Sequence, residues 1–192
     1  MDEKTLEDGD RELVTRILGG DREAFTRLVE KYHPRVFRLV FGIVGDWQQS
    51  EDVCQEIFVS VYLKLSTFGF RSRFSTWMYR VSVNAALKAR GRAANRREFN
   101  LDEAGSGPGR DDPSPRELEG AELLSKLLRP LPRHLRVVVL LKEKEGLTYK
   151  EIAAVIGCTS GAVEQRLHRA FTKLREIWKD RFGDLGLEKR RR

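Results

Sequence analysis

With 192 residues there is room for one or two small domains, and a make-up of 40% hydrophobic and 34% charged residues is that of a globular protein. No apolar run is long enough to cross a bilayer and the acidic opening MDEKTLEDGD is no secretory signal, so the expected location is the cytoplasm. The net charge of +7 is unevenly distributed: −3 over residues 1–20, +6 over 21–100, −5 over 101–122 and +9 over 123–192, as if two polyanion-binding modules shared an acidic tether.

In the first block, residues 11–18 read as a short helix closed by Gly19-Gly20, with Asp21 as the N-cap of the next. Phe25, Leu28, Val29 and Tyr32 form an apolar stripe that resumes after Pro34 through Val36, Phe37, Val40 and Phe41. Pro34 is expected to kink or restart that helix, and Gly42 and Gly45-Asp46 to break it. Asp46 or Ser50 can cap a third helix over residues 51–65, in which Val53, Ile57, Val61 and Leu65 face the core. Asp52, Gln55, Glu56 and Val59 then point outward, with Asp52 and Glu56 one turn apart. Paired carboxylates raise general acid–base catalysis, but no histidine, metal ligand or phosphate loop accompanies them, and an acidic solvated face is the simpler reading. The single cysteines Cys54 and Cys158 and the scattered His33, His134 and His168 suggest packed thiols and no metal site or cofactor.

Residues 68–84, FGFRSRFSTWMYRVSVN, set Phe68, Phe70, Phe74, Trp77 and Tyr79 among Arg71, Arg73 and Arg80, with Ser72, Ser75 and Thr76 between them. Such a mixture suits single-stranded nucleic acid: aromatic faces stack on unpaired bases for about 1–3 kcal/mol each while arginines follow the phosphates. From Phe74 the period is helical, placing Phe74, Trp77, Met78, Val81 and Ala85 on one face and Arg73, Thr76 and Arg80 on the other. Phe74, Trp77 and Met78 are expected in the core, which leaves the 68–73 loop and the exposed flank for function. The helix ends in Arg90, Arg92, Arg96 and Arg97. Residues 101–120, rich in proline, glycine and acid, form a linker whose composition suits an inert spacer as well as a role.

In the last block a helix stops at Pro130 and another runs from Pro132 through Leu141. Thr148 with Glu151 is a capping box, Ile152, Ala153 and Ile156 are the buried side of a short helix, and Gly157 supplies a left-handed turn. Thr159 or Ser160 caps a longer helix in which Val163, Leu167, Ala170, Phe171 and Leu174 face inward. Short helix, glycine turn and longer helix make a helix-turn-helix. Gly161, Gln165, Arg169 and Thr172 lie on the outer face, flanked by His168 on one side and Arg166 and Lys173 on the other. Gln165 suits adenine and Arg169 guanine; Lys150, Arg166 and Lys173 suit phosphates, and His168 a DNA edge.

The phrase FxxxSxFxTWxYRxxxN, carried by Phe68, Ser72, Phe74, Thr76, Trp77, Tyr79, Arg80 and Asn84, resembles the extracytoplasmic-function sigma factors of bacterial RNA polymerase. The likeness extends to GDxxAFxxLVxxY (residues 20–32), DVxQExF (52–58), LxxLPxxLRxVxxL and the helix-turn-helix. It implies an all-α protein: a region 2 domain over residues 10–98, a flexible acidic linker over 99–120, a region 4 domain over 121–180 and a basic tail over 181–192. Asp52, Gln55, Glu56 and Phe58 would meet the clamp helices of the largest subunit of core RNA polymerase. Phe70, Arg71, Ser72, Arg73, Ser75, Thr76, Trp77, Tyr79 and Arg80 would hold the melted −10 strand, and Asn84 and Lys88 the duplex upstream. Lys150, Ser160, Gly161, Glu164, Gln165, Arg166, His168, Arg169 and Lys173 would bind the −35 element, although Glu164 stands where relatives commonly carry a cation. The linker would enter the RNA channel near the polymerase active site. The resemblance also implies an anti-sigma partner and no catalysis. A dimeric helix-turn-helix repressor, a sigma-like decoy and a nucleic-acid enzyme are the rival readings.

Overall fold

The computed structural model describes residues 3–97 and 115–182, and every regular element among them is helical. Most of the expected linker and the basic tail lie outside the described residues.

Helix α1 spans Glu3–Leu18, longer than the expected segment. Val14 and Ile17 bury its inner face. Asp21 then caps α2 (Arg22–Val44), its carboxylate accepting the Ala24 amide at 3.1 Å, and Gly45 closes the helix in the left-handed region at φ 78°. Two expectations need correcting here. Pro34 does not restart α2, because its ring and the unpaired carbonyl one turn back lie on an exposed side of the helix. Gly42 is not a breaker but an interior position at a close helix crossing.

Asp46 caps α3 (Trp47–Lys64), accepting from the Gln49 amide at 2.8 Å, while Ser50 lies buried and donates to the Asp46 carbonyl at 2.5 Å. A single 3-10 turn, Leu65–Thr67, leads into the 68–73 loop and α4 (Phe74–Arg97). In the second domain α5 (Pro115–Leu128) begins inside the segment expected to be linker, with proline in the first turn, where its missing N–H costs nothing. It is followed by α6 (Arg133–Glu143), α7 (Tyr149–Ile156) and α8 (Ser160–Phe182). The capping box between Thr148 and Glu151 is formed in both directions, Gly157 is left-handed at φ 68°, and Thr159 caps α8 by accepting the Ala162 amide at 3.2 Å.

Helix α2 is the hub of the first domain, packed by α1, α3 and α4, while α6 and α7 pack on α8 in the second. The domains touch: α5 and α6 lie against α2, α7 lies along α4, and one apolar core runs through both. Where α2 ends, two guanidiniums receive its last carbonyls. Arg90 reaches Ile43 O at 2.5 Å and Val44 O at 2.9 Å, and Arg136, 3% exposed, reaches Ile43 O at 3.3 Å. Arg136 also donates to Leu128, Arg129 and Leu131 carbonyls, which ties the end of α5 to the end of α2. Burial, with the neighbouring Arg90, Arg133 and Arg129, lowers its pKa to about 10, so it stays charged at neutral pH.

Candidate nucleic-acid and polymerase interfaces

The 68–73 loop is held from below by an aromatic cluster. Phe68 and Phe74 are buried, with ring centroids 5.4 Å apart at 88°, and Phe68 lies 5.6 Å from Trp77 and 5.1 Å from Phe70. Phe70 adopts φ 52°, a left-handed conformation that bulky side chains rarely take and that is over-determined here by ring packing. The loop surrounds an open cavity of ≈ 280 Å³ lined by Arg11, Phe68, Phe70, Arg71, Ser72, Arg73 and Phe74. Arg71 and Ser72 are exposed, Arg73 and Phe70 partly so.

Helix α4 buries Trp77, Met78 and Tyr79 at 8%, 0% and 1% exposure, as the periodicity predicts for Trp77 and Met78. Ser75 is partly buried, whereas Arg80, Asn84 and Lys88 recur at four-residue spacing as one exposed strip. Thr76, one turn before Arg80 and expected on the outer flank, is 6% exposed in the arrangement where α7 lies along α4.

On α3, Asp52, Gln55 and Glu56 are exposed and Phe58 faces the core, stacked 5.9 Å from His33. The exposed row continues through Val59 (60%) and Leu63 (72%), beside Tyr62 (48%). Leu63 is a residue that sequence reasoning missed, although it continues the spacing of Asp52, Glu56 and Val59.

Helix α8 buries Val163, Leu167 and Ala170, and presents Ser160, Gly161, Glu164, Gln165, His168, Arg169 and Lys173 to solvent, with Arg166 partly covered. Lys150 is exposed on α7. Phe171 was expected inside but is 41% exposed, because no described residue of α8 after Ala170 is fully buried. Among the described residues no His, Cys, Asp or Glu cluster can hold a metal and no helix is long and apolar enough to cross a membrane. Burial pushes the Cys54 thiol far up, with Glu51 adding to it, so that thiol is unreactive packing.

Residues 28–96 match the Sigma-70 region 2 family model and residues 121–174 the Sigma-70, region 4 model. Over 174 residues the chain is 36% identical to the RNA polymerase sigma-H factor of Pseudomonas aeruginosa, a match covering 84% of this chain and 89% of that one. It is likewise 36% identical to the ECF RNA polymerase sigma-E factor of Escherichia coli K12, covering 84% and 90%. This chain belongs to the extracytoplasmic-function sigma factors. The structure of CnrH in complex with the cytosolic domain of CnrY is similar at a TM-score of 0.70 and 25% identity, covering 90% of this chain and 99% of that one. The sigma factor RpoE in complex with the anti-sigma factor NepR from Bartonella quintana shares the fold, with a TM-score of 0.62, 21% identity, and coverage of 81% and 96%.

As a sigma factor the protein serves RNA polymerase in promoter recognition and is not an enzyme, which sets aside the repressor and nucleic-acid-enzyme readings. Its two domains meet through polar contacts that the sequence did not announce. Arg73, from the region 2 loop, lies 3.2 Å from Glu151 on α7. Tyr79 donates its hydroxyl to Glu145, from the turn after α6, with Arg35 alongside. Burial raises the Glu145 carboxyl above its ordinary range, and the Tyr79 bond with Arg38, Arg35 and Lys144 offsets only part of that. Burial acts on Glu151 the same way but is outweighed by its Thr148 hydrogen bonds and by Arg73, which leave it below the usual carboxylate range.

Proposed function

We propose that this sigma factor docks on core polymerase through α3, reads the −35 duplex with α8 and captures melted −10 DNA in the 68–73 loop. The observation that carries the reading is the loop cavity, walled by aromatic rings and guanidiniums and continued by the exposed Arg80–Asn84–Lys88 strip. An extruded base costs a few kcal/mol to unstack. One or two stacking contacts at about 1–3 kcal/mol each, with phosphate pairing, offset that without any nucleotide-hydrolysing step.

Asp52, Gln55 and Glu56 give the polymerase surface an acidic and amide character that orients a basic partner, while Val59 and Leu63 supply apolar area beside it. Phe58 supports that surface from beneath. On α8, Gln165 and Arg169 project toward base edges, while Lys150, Arg166 and Lys173 suit phosphates. Ser160, Gly161 and Glu164 sit in the first turns, where a recognition helix enters the major groove. The domain limits are 10–98 for region 2 and 121–180 for region 4. An anti-sigma partner is part of the same reading, since both similar solved structures are complexes, one of them with a named anti-sigma factor. The protein would act in the cytoplasm with the polymerase.

The test is permanganate footprinting of the reconstituted holoenzyme on a promoter that it transcribes. Reactive, unpaired thymines in the −10 region are the expected result. Run-off transcription without unpaired thymines would rule out strand capture.

A further inference from the structure

Helix α1 lies outside the residues matched by the region 2 family model, yet it supplies one wall of the loop cavity. The guanidinium carbon of Arg11 stands 5.1 Å from the centroid of the Phe70 ring, and the residue is exposed. Its neighbour explains why it stays there. Asp10, 6% exposed, pairs with Lys31 at 2.6 Å and accepts the Tyr32 hydroxyl at 2.6 Å, pinning that turn of α1 to α2. Tyr32 meets Phe74 edge-on at 5.4 Å, Phe74 meets Phe68 at 5.4 Å, and Phe68 meets Phe70 at 5.1 Å. The contacts therefore close a ring that leads from Asp10 through the aromatic floor and back to Arg11. Helix α1 and the loop are placed by the same packing.

Three arginines, Arg11, Arg71 and Arg73, line the cavity, and no carboxylate is among the described residues that do. Arg73 is held toward Glu151 on α7, and Arg71 projects from the loop itself. Of the three, Arg11 alone comes from a helix outside the loop. An arginine poised over an aromatic ring at the edge of a cavity with room for a base has a specific capability. Its flat fork stacks on a ring and donates two parallel hydrogen bonds to adjacent acceptors, which a lysine cannot match.

We propose that Arg11 is a specificity-determining residue for the −10 strand: its guanidinium closes over the extruded base and donates to that base's adjacent acceptors. Guanine, through O6 and N7, and cytosine, through O2 and N3, present such pairs, whereas adenine sets a donor beside its acceptor. The inference rests on the −10 capture reading and adds to it a contact from the amino-terminal helix.

The experiment uses full-length protein in holoenzyme, selected against a single-stranded non-template oligonucleotide randomised over the −10 segment. Wild type is expected to prefer guanine or cytosine at one position. Arg11→Ala should flatten that preference and weaken the selected strand about tenfold, and Arg11→Lys should behave like Arg11→Ala. An abasic site at that position should make wild type and Arg11→Ala bind alike. Polymerase pull-down and thermal unfolding should not change, since Arg11 is exposed. A base preference that survives in Arg11→Ala, or a loss that persists on the abasic strand, would overturn the proposal. Binding by wild type with no preference at any position would overturn the proposal alone, whereas failure of wild type to bind any strand would sink strand capture itself, and this contact with it.

Discussion

Arg73 and Glu151 lie 3.2 Å apart although one comes from the loop of region 2 and the other from the first helix of the helix-turn-helix. Glu151 thus serves two structures at once. Its carboxylate completes the Thr148 capping box and also neutralises an arginine that lines the candidate −10 cavity. Nucleic acid entering the cavity has to compete with that carboxylate. Glu151→Gln separates the two roles, because glutamine satisfies a capping box while carrying no charge. Partly exposed ion pairs are worth about 0.2–1 kcal/mol, so the substitution should raise affinity for a −10 single strand by up to about fivefold. Fluorescence anisotropy on the full chain measures it, and circular dichroism should show the helix content intact.

The Tyr79–Glu145 contact gives the domain packing a pH dependence. With the domains docked, burial holds the Glu145 carboxyl above its ordinary value of 4.5; with the domains apart, the same group is solvated and reverts to it. The docked form therefore binds the proton more tightly. Its added stability is fully present below the ordinary carboxyl pKa and is lost as pH rises through the raised one. Buried Glu145 Oε1 has no hydrogen-bond partner, which suits the protonated form better than the charged one. Donor–acceptor dyes on the two domains should report tighter docking at pH 5 than at pH 8. Glu145→Gln should abolish the difference while keeping the acceptor for Tyr79.

What the sequence disclosed and what it withheld divide along physical lines. The caps at Asp21 and Thr148, the choice of Asp46 from the pair Asp46 and Ser50, the helix stop at Gly45 and the left-handed Gly157 are local, set by a few neighbouring residues, and they stand among what the sequence suggested. So does the burial of Phe74, Trp77 and Met78, which follows from helical period alone. Thr76 and Gly42 were misread because a wheel drawn for one helix does not contain the helix that packs against it, and Phe171 because the wheel does not show where such packing ends. The same holds for Arg11, whose place beside Phe70 depends on an anchor, Asp10, that reaches more than twenty residues along the chain to Lys31 and Tyr32. An aspartate in helical register with Val14 and Ile17, at i+4 and i+7, was the available signal.

Gly42 illustrates the crossing directly. A Cβ placed on it would stand 2.8 and 2.9 Å from the two methyl carbons of Leu140, a residue of α6 that is 1% exposed. Alanine at this position gains about 1 kcal/mol of helix propensity. Overpacking a buried contact costs about 1–3 kcal/mol, so Gly42→Ala should be destabilising on balance, by up to about 2 kcal/mol. Leu140→Ala by itself should cost about 2–5 kcal/mol, and the double variant should lose less than the sum of the two singles, because the cavity left at 140 accepts the methyl added at 42. Urea titrations of the four proteins in the cycle give the coupling, and strict additivity would show that the helices part at this point.

The exposed row on α3 yields the most direct test of the polymerase surface. Asp52, Gln55 and Glu56 are exposed, while the core side of the helix is filled by Val53, Ile57 and Val61. Exposed substitutions of this kind usually change stability by less than about 0.5 kcal/mol. Asp52→Arg with Glu56→Arg should therefore leave thermal unfolding nearly unchanged. It replaces two negative charges by two positive ones on a face proposed to meet a basic partner, where like-charge juxtaposition costs several kcal/mol. Pull-down with core polymerase should lose the complex, and the −35 duplex should still bind the isolated protein through α8. A weaker second variant, Leu63→Ser, tests the apolar end of the row: 72% exposure means its loss cannot disturb the core, so any drop in polymerase affinity belongs to the interface. Undiminished capture of both variants would move the docking surface off this helix.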